Sequence, residues 1–260
     1  MDEVISLDGG RGYGLLTRAT GSPKGKAVVL LNAGLIHRVG PFRMHVNLAR
    51  RLAENGFDVF RFDMPNIGDA QAGGAKVSGE STVRAAFDAI HDATGAQRFV
   101  VGGICSAADK GWRVAIADNR VEGVLLLDGM AVQGRWFRMG QMRLMLSRSP
   151  LRWPGMVLRF FRAKDENAPG LEDFRDWPEH PEFLAQLEEL LSRGVRILAL
   201  YTGGISYYLL HAKQLDDTFG RFRWNDGLEA DFWPHVDHMF FSATHREQLM
   251  TRICRWVAEG

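Results

Sequence analysis

Five short, mostly apolar runs separated by helix-patterned stretches, the first of them continuous, most constrain what this chain can fold into. They are residues 27–32 (AVVLLN), 57–62 (FDVFRF), 99–103 (FVVGG), 121–127 (VEGVLLL) and 195–201 (VRILALY). A strand with one face in water alternates apolar and polar residues. Continuous runs mark strands buried on both faces, as in parallel sheets. Helical spacing follows several of them. Residues 42–55 carry Val46, Leu48, Ala49, Leu52 and Ala53 before Gly56, and residues 81–93 carry Val83, Ala86, Phe87 and Ile90. Residues 106–117 and 246–257 read as further helices, and 228–232 as the last strand. The opening segments 3–7 and 13–18, split by glycines, read as a hairpin. The alternation predicts an α/β fold with a mostly parallel central sheet and helices on both faces. Ligands of such sheets bind beyond the carboxyl ends of the strands.

Residues 129–194 interrupt this rhythm with five prolines and several helical stretches, and are expected to form a helical cap inserted into a core of 1–128 and 195–260. At 260 residues and 46% apolar composition, the chain can bury one sizeable core. A net charge of +1 argues against a dedicated nucleic-acid partner. Two distant cysteines, Cys105 and Cys254, form neither a metal-ligand pattern nor a disulfide framework, and no metal or other cofactor is expected. The first residues, Met1-Asp2-Glu3-Val4, lack the apolar stretch of a signal peptide, and no span of the sequence reads as transmembrane. The expected compartment is the cytoplasm, where a thiol stays reduced. Oligomeric state is not legible.

The run 99–103 passes directly into Ile104-Cys105-Ser106-Ala107-Ala108 and then into a helix. So sharp a strand-to-helix turn exposes one side chain on strained backbone. It also crowds the positions two before and two after, where small residues are needed. Gly103 and Ala107 meet that need around Cys105. Ser106 is the alternative nucleophile, but its flanks would be Ile104 and Ala108, and isoleucine fits poorly. A third reading makes Cys105 a buried core cysteine. The Ser106 N–H at the helix start would point towards an oxyanion, and the helix terminus favours a thiolate.

A catalytic base should lie after the last strand. Of eight histidines, His238 in Pro234-His235-Val236-Asp237-His238-Met239-Phe240 occupies that place, with His235 as the runner-up. Asp237 is expected to brace the loop, and Phe240-Phe241 to pin it.

Together, Leu31-Asn32-Ala33-Gly34, Arg38-Val39-Gly40-Pro41, Arg61-Phe62-Asp63, Ile67-Gly68-Asp69, Gly103-Ile104-Cys105-Ser106-Ala107-Ala108 and Asp237-His238-Met239-Phe240 carry a resemblance. They resemble the serine-aminopeptidase-like α/β hydrolases. More narrowly, they look like the exosortase-A-system-associated hydrolases, whose elbow often reads GLCSGA or GLCDGA. The resemblance covers residues 26–128 and 195–257 and leaves out the insertion. It implies the α/β-hydrolase fold and an oxyanion hole of two backbone N–H groups, those of Ser106 and Leu35, with Gly34 supplying the turn. Pro65-Asn66 stands where the family carries Arg-Gly, and Ala70 follows Asp69 where it carries serine. The acid expected after residues 195–201 is missing, because that loop, 202–208, holds no carboxylate. Asp128, at the end of the run 121–127, is the candidate in its place. Otherwise His238 and Cys105 work as a dyad, with Ser206 or a backbone carbonyl orienting the ring. A thiol tolerates that loss better than a hydroxyl does.

Residues 135–164 hold eight basic side chains and no acid, interleaved with aromatic, methionine and aliphatic residues. They read as a lid with a solvated basic face, able to cover an apolar or acyl substrate or to touch a membrane surface. The expected activity is acyl transfer on an ester, thioester or activated amide, small or carrier-bound, through a thioester on Cys105. Transfer to another acceptor, cyclisation, and a catalytically silent binding protein are the alternatives.

Overall fold

The computed structural model describes residues 2–7, 10, 12–70, 79–146, 175, 177–203 and 209–260. Its strands are β1 (Asp2–Leu7), β2 (Gly12–Thr17), β3 (Lys26–Leu30), β4 (Asp58–Phe62), β5 (Arg98–Ile104), β6 (Val121–Leu127), β7 (Arg196–Thr202) and β8 (Leu228–Trp233). Its helices are α1 (Met44–Glu54), α2 (Gly79–Thr94), α3 (Ser106–Ala117), α4 (Arg135–Leu146), α5 (His180–Ser192), α6 (Gln214–Phe219) and α7 (Ala243–Ala258). The strands form one sheet in the order β1-β2-β4-β3-β5-β6-β7-β8. β1 and β2 make the expected hairpin, and β2 also runs antiparallel to β4. All other neighbours are parallel. This is the α/β-hydrolase fold, with a mostly parallel eight-stranded sheet.

The central strands are buried on both sides, as their composition predicts. Residues 27–31 of and just beyond β3, and Ile197 to Leu200 of β7, are at most 2% exposed. β4 tolerates Arg61, 1% exposed, because its Nη2 pairs with Asp2 Oδ2 of β1 at 3.0 Å. α3 lies very close to β5. A Cβ added at Gly111 would lie 2.7 Å from Gly102 Cα, so only glycine permits this approach.

Of the expected insertion, residues 147–174 and 176 lie outside the described residues. α5 buries Phe183, Leu187 and Leu190 in the same core cluster as the sheet. Trp112 of α3 packs tilted against Phe183 with ring centroids 4.9 Å apart, and its indole N–H donates to Gln186 at 2.7 Å. α4 keeps Phe137 buried but exposes Met139, Met142, Leu144 and Leu146. Among the described residues no helix is long and apolar enough to cross a membrane.

Candidate active site

The elbow forms where β5 gives way to α3. Cys105 adopts φ 59° and ψ −125°, a strained conformation for a residue with a Cβ, while Ser106 begins the helix. The turn closes through Ala108 N–H donating to Cys105 O at 2.9 Å. A Cβ on Gly103 would lie 2.9 Å from both Ala107 Cβ and Leu31 O, so the small flanks are a steric requirement. Cys105 is half-buried. Ser106 is buried, and its Oγ accepts the Gly34 N–H at 2.8 Å. The hydroxyl therefore anchors the loop after β3, and the exposed turn position belongs to the thiol.

Asp128 follows β6 directly, with φ 50°, and its side chain is 4% exposed. Thr202, the last residue of β7, donates its N–H to Asp128 Oδ1 at 2.6 Å and its hydroxyl to Oδ2 at 2.7 Å. His238 Nδ1 contacts the same Oδ2 at 2.7 Å. That contact places a proton on Nδ1 and leaves Nε2 as the ring nitrogen available to the Cys105 thiol, whose charge acts on the ring. Asp128, His238 and Cys105 thus form one chain of contacts. Ser206 lies outside the described residues, and His235 is exposed.

The electrostatics favour the ion pair. Burial opposes charge on His238, but the hydrogen bonds to Asp128 and Cys105 outweigh it and push the ring up to about 9. Burial likewise opposes the Cys105 thiolate, yet the bond to His238 and the nearby Arg175 charge bring the thiol below its ordinary value.

Asp237 braces the histidine loop by accepting the N–H groups of Met239 and Phe241, at 3.1 and 3.0 Å. The aromatic pair divides its work. Phe240 is fully buried and pins the loop, whereas Phe241 is 75% exposed and meets Phe42 edge-on at 5.5 Å. On the oxyanion side, residues 33–36 turn back through Ile36 N–H to Ala33 O at 2.9 Å, with Gly34 at φ 50°. Leu35 sits at the tip of that turn with its side chain 86% exposed.

Two site features escaped the sequence reading. Thr202 stands at the strand end after which an acid was expected, and instead orients the acid one strand over. Arg175 reaches the elbow: its Nη1 lies 3.5 Å from Cys105 Sγ and 3.4 Å from Asp128 O. Its Nε and Nη2 engage Asp109 at 2.5 and 2.6 Å, with both side chains 3% exposed. The available signal was Asp109, a carboxylate one helical turn beyond Cys105 that follows Ala107-Ala108 and precedes Lys110. A buried charge there calls for a cation. Beyond Asp128, a cavity of about 270 Å³ is lined by Met130, Ala131, Val132, Trp177 and Phe183 among others.

On the other flank of the elbow, the loops after β3 and β4 are tied by charge. Asp63 Oδ1 accepts the Arg38 N–H at 2.6 Å, and Oδ2 takes the Arg38 guanidinium and the Asp69 N–H. Arg38 also meets Asp69 at 2.9 Å and donates to the Tyr13 hydroxyl at 2.7 Å. Pro65-Asn66, which departs from the family pattern, forms a turn with Asn66 at φ 66° and Ile67 N–H returning to Met64 O at 3.0 Å. Asparagine tolerates that conformation better than most residues.

No curated protein matches the sequence. Among solved structures, the chain is similar to a serine hydrolase homologue from Coxiella burnetii, with 13% identity, 99% of this chain and 97% of that one covered, and TM-score 0.61. It is equally similar to an esterase from Pyrococcus furiosus, with 13% identity, 100% and 90% covered, and TM-score 0.61. A protein of unknown function from Agrobacterium tumefaciens, described as an α/β hydrolase, gives 13%, 99%, 94% and 0.61. At these identities the likeness concerns the fold. The family model of the α/β hydrolase fold matches residues 26–226, well over half of the sequence, and the chain belongs to that family.

Proposed function

We propose that the protein is an acyl-transfer enzyme of the hydrolase type whose nucleophile is Cys105. The 2.7 Å contact between Asp128 and His238, with Cys105 on the strained turn of the elbow and electrostatically coupled to that ring, carries this reading. Sγ attacks the carbonyl carbon of an ester, thioester or activated amide. The Ser106 and Leu35 N–H groups stabilise the resulting oxyanion. The imidazolium of His238 then gives its Nε2 proton to the leaving group as the old bond breaks, and Cys105 carries the acyl group as a thioester. In the second half, His238 takes a proton from water, the hydroxide adds to the thioester carbonyl, and the thiolate departs. Asp128 holds the ring in the required tautomer throughout.

In this reading the substrate is a small or carrier-bound acyl compound. A thiol nucleophile works only where it stays reduced, which favours the cytoplasm.

Labelling with an activated acyl ester tests the reading. Native protein should accumulate a hydroxylamine-sensitive adduct on Cys105, while Cys105→Ala and His238→Ala should not. Equal labelling of all three would end it. Adding amine or alcohol acceptors to the acylated protein separates hydrolysis from transfer, because a transferase releases the acyl group to the acceptor faster than to water.

A further inference from the structure

We propose that Arg175, clamped by Asp109, is a catalytic residue that holds Cys105 as a thiolate and so makes cysteine the workable nucleophile of this elbow. The inference rests on the assignment of Cys105 above and deepens it.

Asp109 presents the problem that Arg175 solves. It lies four residues beyond Cys105 in the first turn of α3 and is 2% exposed. A carboxylate there suits the positive end of a helix, but it also opposes a second negative charge on the neighbouring sulfur. Arg175 answers with a two-pronged contact through Nε and Nη2. The guanidinium is planar and its donors have a fixed fork, so anchoring two nitrogens sets the direction of the third. That third nitrogen, Nη1, points at Cys105 Sγ from 3.5 Å and is steadied by Asp128 O at 3.4 Å. The sulfur therefore meets the His238 ring, the Ser106 N–H and the Arg175 fork, and Lys110 of α3 is a further charge acting on it and on Asp109. The proton leaving Sγ goes to His238 Nε2, and no further reactant is required.

A hydroxyl would gain far less from this arrangement. It stays protonated in the ground state, so a cation placed for an anion has nothing to stabilise before attack. A thiol with an ordinary pKa of ~8.5 needs only a modest push to ionise at neutral pH.

The pH dependence of iodoacetamide alkylation at Cys105, resolved from Cys254 by peptide mass spectrometry, tests this directly. It requires no acyl substrate, so its outcome is independent of the acyl-labelling result. The doubly neutral variant Arg175→Gln/Asp109→Asn replaces the ion pair with an amide pair. Its alkylation midpoint should rise by about one pH unit or more relative to native protein. Arg175→Lys keeps the charge but loses the fork, and its midpoint should lie between the two. A folded double variant with the native midpoint would overturn the proposal, even if its acylation rate had fallen, because that pattern marks a purely structural role. Should the double variant fail to fold, Arg175→Lys decides: a rise of about half a unit supports the proposal, and no rise overturns it.

Discussion

Two buried aspartates flank the Cys105 elbow at strand ends, Asp128 after β6 and Asp63 after β4, and they have opposite surroundings. Each is almost fully buried and each has a histidine within reach, His238 for Asp128 and His37 for Asp63. The difference lies in the other partners. Asp128 is held by uncharged donors, the N–H and hydroxyl of Thr202, so among the described residues the group bonded to its carboxylate that can take or lose a proton near neutrality is the His238 ring. Asp63 is held by Arg38, which never gives up its charge, and that pair joins two loops. A strand-end carboxylate thus becomes reactive machinery or a rivet according to whether its main partner can titrate.

Substitution should break this comparison in measurable ways. The largest effect belongs to Asp128→Asn, which removes the charge that orients and protonates His238. Acyl-transfer kcat should fall about a thousandfold, read by steady-state kinetics, with a far smaller change in unfolding midpoint. The pH profile of native protein should be bell-shaped. His238 is raised from its ordinary 6.5 to about 9, so the imidazolium that protonates the leaving group persists below that value and is lost as pH rises through it. In Asp128→Asn the alkaline limb should retreat towards neutrality, and a limb that stays in place would remove Asp128 from the mechanism.

Arg38→Gln comes next and should show the reverse signature. It strands the buried Asp63 charge and should cost about 3 kcal/mol in denaturant unfolding, while the pH limbs of kcat stay where they are. Thr202→Val should lower kcat roughly tenfold by removing one hydrogen bond to the acid, with the alkaline limb shifted in the Asp128→Asn direction. Tyr13→Phe is the smallest perturbation. Its hydroxyl bridges Arg38 and Asp69 at the exposed rim of the rivet, and its loss should cost about 1 kcal/mol or less. A pH-limb shift from Tyr13→Phe would dissolve the distinction between the two aspartates.

Much of this was legible in the residues. The parallel strands were visible because burial on both faces leaves no room for alternation, and each expected run contains or overlaps an observed strand. The elbow was visible because the turn demands small residues at fixed offsets from Cys105. His238 was visible from chain order, and Asp128 from its place at a strand end, but their 2.7 Å contact spans 110 positions and no local pattern encodes it. Arg175 was hidden for the same reason. It looks like one more basic residue in an arginine-rich stretch, and only the carboxylate of Asp109, turned inwards on α3, reveals the demand for a cation. α6 was missed because six residues carry too little periodicity to announce a helix.

The bond from Gly34 N–H to Ser106 Oγ has a mechanical consequence. In the proposed mechanism Ser106 supplies one oxyanion donor, and its hydroxyl grips the loop that would supply the second. The elbow and that loop are thereby geared together, and in that mechanism a displacement of the thiol would carry both donors with it and keep the spacing between sulfur and oxyanion hole.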